Sequence, residues 1–192
     1  MVHVRHLTPA DYRRVPWKNG QGATLEILRE PADPTVDFVW RLSVADVKSD
    51  GPFSAFPGYE RVLVVVEGEG IVLRHNQDEQ SVPLAWLQPY RFLGAWATEC
   101  ELIEGPIRDF NLIVRPGQGA SVDALALDRE ECRPLRGRSH VLYCHEGECE
   151  VAACGGRWRL GPGETLLLQD GADPGCVLRP ADAAVVLLVT LR

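Results

Sequence analysis

Three short stretches hold the residues whose types and spacing suit the recognition of a small anion. In Trp40-Arg41-Leu42-Ser43-Val44-Ala45 a two-residue period sends Arg41, Ser43 and Ala45 to one face of a strand, and Trp40, Leu42 and Val44 to the other. If the polar face turns into a barrel, Arg41 needs an anionic or carbonyl partner, because an unpaired buried guanidinium costs several kcal/mol, and a ligand carboxylate would serve. Turned outward, Arg41 is simply solvated. Asp109-Phe110-Asn111 alternates in the same way and places Asp109 and Asn111 together. Lys18-Asn19-Gly20-Gln21-Gly22 is a polar turn whose backbone N–H groups can form a small anion nest. Trp17 and Trp40 are stacking walls for a ligand or plain core.

Other chemistries find little footing. The five histidines, at 3, 6, 75, 140 and 145, include no closely spaced pair and no carboxylate arranged to complete a ligand set, so no metal and no cofactor are expected. Ser43 has no evident histidine base, since His75 lies beside the polar Asn76-Gln77-Asp78-Glu79 turn. Cys144 and His145 are adjacent on a strand and point to opposite faces. The six cysteines contain no Cys-x-x-Cys and are too sparse for a disulfide scaffold. Cys144 and Cys149 are expected to face each other across a hairpin turning at Glu146-Gly147, where they could oxidise.

The 192 residues carry a net charge of −7 and no Lys/Arg cluster longer than a dipeptide, which argues against a nucleic-acid partner. No run of eighteen apolar residues is present, and Met1–His6 lacks a signal-peptide core, so a cytoplasmic protein without a membrane partner is expected. At 45% hydrophobic and 24% charged, the chain can build a core.

The elements that must position these residues are strands. Short β-branched runs recur between Gly, Pro and Asp: 23–28, 38–47, 62–67, 70–74, 111–115, 141–144, 149–153, 164–169 and 183–191. Thr8-Pro9-Ala10-Asp11-Tyr12 reads as a capped N-terminal helix with Pro at its first position. An internal repeat aligns Glu60–Glu69 on Ser139–Glu148, sharing Val-Leu-x-x-x-Glu-Gly-Glu, and Asn111–Val114 on Val186–Val189. In each copy Glu-Gly-Glu is expected to turn a tight hairpin. This order resembles the double-stranded barrel of the cupins. Equivalent strand positions should face the same way. The apolar Ala184 and Val186 therefore imply that Asp109 and Asn111 point into the first barrel, beside a ligand or in an internal ion pair with Arg41 or Arg61.

Four ordered motifs make the resemblance specific: 16–27 (Pro-Trp-Lys-Asn-Gly-Gln-Gly-Ala-Thr-Leu-Glu-Ile), 38–45 (Phe-Val-Trp-Arg-Leu-Ser-Val-Ala), 51–61 (Gly-Pro-Phe-Ser-Ala-Phe-Pro-Gly-Tyr-Glu-Arg) and 105–111 (Gly-Pro-Ile-Arg-Asp-Phe-Asn). Together they resemble the HutD/Ves family of bicupins. Gln21 stands where a third glycine is usual, and Tyr59-Glu60-Arg61 where an aspartate before the arginine is more familiar. Segment 51–61, where cupins commonly carry metal ligands, has no histidine.

The resemblance implies an all-β chain of tandem double-stranded β-helices with one short N-terminal helix. A first barrel with a polar pocket is expected over residues 1–118, and a smaller, structural one over 119–192. It also implies a metal-free binding protein that senses or sequesters a small carboxylate or formylated amino-acid metabolite linked to histidine utilisation or stress response. The expected ligand-binding residues are Trp17, Lys18, Asn19, Arg41, Ser43, Arg61, Asp109 and Asn111, with no catalytic residue. The partner is then a small anionic or amide-containing metabolite, and a homodimer stays open. The alternative is a metal-independent isomerase or lyase using Asp109 or Glu60 as base and Lys18 as acid. It requires burial to raise a carboxylate pKa against the pull of a neighbouring arginine.

Overall fold

The computed structural model describes residues 3–17, 22–76, 81–137, 139–153, 155–169 and 177–191. Strands dominate them, as the dense β-branched runs require. The first eleven are β1 (His3–Leu7), β2 (Arg13–Pro16), β3 (Ala23–Glu30), β4 (Trp40–Val47), β5 (Gly51–Phe53), β6 (Glu60–Glu67), β7 (Ile71–His75), β8 (Ser81–Leu84), β9 (Tyr90–Leu93), β10 (Thr98–Leu102) and β11 (Ile107–Val114). The remaining six are β12 (Ser121–Leu127), β13 (Arg133–Pro134), β14 (Ser139–Ala153), β15 (Gly156–Leu160), β16 (Thr165–Gln169) and β17 (Val177–Leu191). Among the described residues no helix is long and apolar enough to cross a membrane.

The N-terminal helix expected over Thr8–Tyr12 shrinks to a single 3-10 turn, Pro9–Asp11. Asp11 closes it by accepting hydrogen bonds from the Thr8 backbone N–H at 2.8 Å and the Thr8 hydroxyl at 3.0 Å. These bonds hold the Asp11 carboxyl below the usual carboxylate range. β2 begins two residues later, which leaves no room for a longer helix.

The chain separates into two compact units, Tyr12–Gly117 and Gln118–Arg192 with Met1–Asp11. In the first, a six-stranded sheet runs β2-β3-β4-β11-β6-β9 and a four-stranded sheet runs β5-β10-β7-β8. The second is one sheet ordered β1-β16-β14-β17-β12, with β15 against β14 and β13 against β17. Every strand-to-strand pairing is antiparallel, and the topology is cupin-like, as expected. β1 belongs to the second sheet, pairing with β16 from His3↔Gln169 to Leu7↔Thr165. The first residues of the chain thus complete the C-terminal unit.

Both Glu-Gly-Glu segments depart from the expected hairpin. After β6 the chain leaves its sheet altogether, because β7 pairs with β8 and β10 rather than with β6. Gly68 and Gly70, at φ of 91° and 117°, make that corner. In the second copy there is no turn: Ser139–Ala153 is a single strand pairing with β17 throughout, with register shifts at Cys144/Glu146 and Gly147/Cys149. Bulges bend a strand without reversing it, so the motif marks a corner and not a hairpin. Cys144 and Cys149 therefore lie on one bulged strand, as free thiols that hydrogen-bond to each other.

The apolar core of the first unit gathers Val47, Leu63, Val65, Ile71, Leu73, Leu84, Phe92, Cys100 and Ile107. That of the second includes Leu142, Cys144, Leu166, Leu168, Val186 and Leu188.

Candidate functional site

The alternation in β4 resolves with the polar face inward. Arg41, Ser43, Ala45 and Val47 line a cavity of about 340 Å³ in the first unit, while Leu42 and Val44 are buried on the opposite face. β11 lies beside β4 with Asp109, Asn111 and Ile113 in register with Ala45, Ser43 and Arg41, and all three line the same cavity. On the other side of β11, β6 sets Arg61 opposite Ile113 and so brings a second guanidinium to the wall. Trp17, Thr24, Phe53, Ser54 and Phe56 add to the lining.

Six of the eight expected residues thus meet around one cavity: Trp17, Arg41, Ser43, Arg61, Asp109 and Asn111. Lys18 and Asn19 lie outside the described residues. The Trp17 backbone N–H donates to the Gly22 carbonyl at 2.9 Å, and the Trp17 indole donates to the Thr24 hydroxyl at 2.9 Å. Trp40 is buried and takes no part in the lining.

A polar chain crosses the floor. Arg61 donates from Nη2 to Asn111 Oδ1 at 2.7 Å and from Nη1 to the Ser54 carbonyl at 3.2 Å; Asn111 Nδ2 donates in turn to Asp109 Oδ1 at 2.8 Å. The Arg61 guanidinium lies over Phe53, Phe56 and Phe92, at 5.4, 5.6 and 5.1 Å from the ring centroids. Such cation–π contacts hold a desolvated guanidinium without neutralising it. Arg41 lies over Phe56 at 5.5 Å and has Glu26 Oε2 3.6 Å from its Nε. The Nε atoms of both arginines are buried and have no hydrogen-bond partner among the described residues.

Burial dominates the titration of this group. The Asp109 carboxyl is pushed up to about 6 by desolvation, against the opposing pull of Arg61, Asn111 and the Ala45 backbone, with Asp46 adding to the rise. The Arg61 guanidinium falls to about 10, again through burial, with Asp109 opposing and Arg41 reinforcing. Arg41 is lowered by burial and sustained by Glu26. The requirement for a carboxylate raised against its arginine neighbour is therefore met at Asp109. Glu60, the other candidate base, pairs with Arg91 at 2.5 Å and does not line the cavity.

His75 is buried at the end of β7. Its Nδ1 lies 3.0 Å from the Thr98 hydroxyl and its Nε2 lies 3.2 Å from the Tyr90 hydroxyl, and it does not line the cavity. Among the described residues, no group of three or more His, Cys, Asp or Glu is placed to hold a metal ion.

Strand pairing also refines the repeat. Leu63 pairs with Asn111 and its counterpart Leu142 with Leu188, so Asn111 corresponds to Leu188 and Asp109 to Val186, two residues beyond the sequence match. A shift of two preserves the face, which is why the inward assignment survives it. Arg61 corresponds to His140, a buried residue whose Nδ1 lies 3.3 Å from the Thr190 hydroxyl.

Glu26, Phe53, Phe56 and the Ser54 carbonyl had no chemical role on sequence grounds. Glu26 was signalled by alternation with Thr24 on β3, where it faces Ser43. Phe53 ends the three-residue β5, and Ser54 and Phe56 lie in the irregular stretch after it, with no periodicity to read.

A family model described as HutD matches residues 9–186. The crystal structure of a conserved protein of unknown function from Pseudomonas aeruginosa PAO1 is 34% identical and covers 98% of each chain, with a TM-score of 0.88. HutD from Pseudomonas fluorescens SBW25 (formate condition) is also 34% identical, covering 99% of this chain and 100% of that one at a TM-score of 0.78. An uncharacterized 21.2 kDa protein from the hutC 3' region of Pseudomonas putida is 42% identical over 116 residues. That match spans 60% of each sequence, or about three fifths of the curated relative's length.

Proposed function

This chain belongs to the HutD family, and from that premise we propose that its first barrel is a receptor for a small carboxylate. The ligand is a formylated or amidated amino-acid metabolite linked to histidine utilisation or stress response, sensed or sequestered in the cytoplasm rather than turned over. One observation carries the reading: the buried guanidinium of Arg61 and the part-buried guanidinium of Arg41 line one cavity. A carboxylate there would gain charge-assisted hydrogen bonds worth roughly 1.5–3 kcal/mol each. The volume suits a small metabolite.

Arg41 and Arg61 hold the carboxylate, Ser43 and Asn111 fix a carbonyl or amide, and Asp109 orients the Asn111–Arg61 chain or accepts a ligand N–H. Trp17 walls the pocket, and Lys18 and Asn19 contribute further contacts to the ligand. The second barrel serves as structural support, since apolar Val186 and Leu188 stand where the first has Asp109 and Asn111. The test is thermal stabilisation by N-formyl and carbamoyl carboxylic acids. Arg41→Ala should abolish the shift given by the best of them, and an unchanged affinity removes Arg41 from the site.

The raised Asp109 carboxyl favours a second reading, in which it transfers a proton near neutral pH in a metal-independent isomerase or lyase. Hydrogen exchange at the ligand's α-carbon in D2O, abolished by Asp109→Asn, would establish it.

A further inference from the structure

Glu26 lies on β3 opposite Ser43, on the face that lines the cavity through Thr24, yet it does not itself line the cavity. Its side chain is only 6% exposed, and its carboxylate stands between two arginines. Oε1 is 3.0 Å from Nη2 of Arg13, which is 48% exposed; Oε2 is 3.6 Å from Nε of Arg41 and accepts no hydrogen bond from the described residues. Glu26 is too far back to touch a ligand and close enough to set the charge that Arg41 presents.

Leaving aside Arg13 and Arg29, which do not line the cavity but also act on Arg41, the charges that line or directly back it nearly cancel. Arg41 is offset by Glu26, and Arg61 by Asp109 through Asn111. Asp50 also lines the cavity, but it is exposed and accepts the Leu102 backbone N–H at 2.8 Å. A monoanion entering such a site leaves at most one uncompensated charge, which a proton on Asp109 removes. A dianion leaves two, in a place where burial already penalises charge.

We propose that Glu26 is a specificity-determining residue: by compensating Arg41 from outside the cavity, it restricts the pocket to singly charged carboxylates and excludes dianions. The proposal rests on the carboxylate-receptor reading and goes beyond it by naming the charge of the ligand and the residue that selects it.

Succinamate and succinate are nearly the same shape and differ by one charge, so the ratio of their dissociation constants for the full chain isolates the effect. The wild-type protein binds succinamate more tightly. In Glu26→Gln, which keeps the side chain's volume, the ratio moves toward succinate by about tenfold or more. Arg13→Gln, on the solvent side of the same carboxylate, moves it the other way by a smaller, salt-sensitive factor. Loss of structure in Glu26→Gln would leave the exposed Arg13 variant to decide the matter through its opposite sign. Binding with the same ratio in every folded variant overturns the proposal and leaves the receptor reading intact. Failure of the wild-type protein to bind either probe overturns both.

Discussion

Arg41 and Arg61 stand on opposite sides of Ile113, each in register with it from a neighbouring strand, and their guanidinium groups both lie over the ring of Phe56, at 5.5 and 5.6 Å. Two like charges share one aromatic surface. Arg41 depresses the Arg61 pKa as a consequence, so the pair repels in the absence of an anion. Phe56→Leu removes the shared ring while keeping an apolar side chain. It is expected to lower stability by about 1–2 kcal/mol, read as a shift in the urea midpoint, with Phe56→Tyr close to wild type.

Arg61→Lys tests the floor of the cavity. A lysine keeps the charge but cannot reproduce the fork to Asn111 Oδ1 and the Ser54 carbonyl, nor the contacts with three phenyl rings. A loss of about 2–3 kcal/mol is expected in chemical denaturation. A neutral outcome would mean that the fork adds nothing to the fold.

The displaced carboxyl of Asp109 makes stability depend on pH. Its folded pKa of about 6 lies above the ordinary 3.8, so between these values the folded chain holds a proton that the unfolded chain has released. Stability from this group is therefore greatest at the acid end and falls as pH rises through the window, by on the order of 3 kcal/mol in all. Subtracting the denaturation curve of Asp109→Asn from that of the wild type should expose this slope. A flat difference from pH 4 to pH 7 contradicts a desolvated Asp109.

Gly147 sits at the bulge of β14 with φ of 72°, and a Cβ there would run into the Ala183 carbonyl oxygen. Gly147→Ala should cost about 1–3 kcal/mol through backbone strain and that clash. Gly161, with open space around its Cβ position and no positive φ, is the control; thermal melts of both variants should show Gly147→Ala destabilised and Gly161→Ala neutral.

Thiol accessibility offers a check on the packing of both units. Cys132 is exposed, whereas Cys100, Cys144 and Cys149 are buried. Burial and the nearby Asp109 push the Cys100 thiol up to about 12, and the hydrogen bond shared with Cys144 pushes Cys149 up as well. Alkylation of the native protein, mapped by mass spectrometry, should mark Cys132 rapidly and these three only on unfolding.

Alternation along single strands was legible without coordinates. Arg41 with Ser43, and Asp109 with Asn111, share faces because a strand's side chains repeat every two residues, and the apolar second copy indicated which way they turn. The four motifs likewise carried the family and its all-β architecture. What only the tertiary structure decided depends on contacts between segments far apart in the chain. The Arg61–Asn111 bond joins residues fifty apart, and Glu26 reaches Arg41 from the neighbouring strand, where it is in register with Ser43. Glu-Gly-Glu reads locally as a turn in both copies, yet the hydrogen bonds of the strands around it go to other partners, making a corner after β6 and a bulge in β14. The Asp109 pKa, too, was a contest between burial and an arginine, and sequence names the contestants without saying how much water the fold removes.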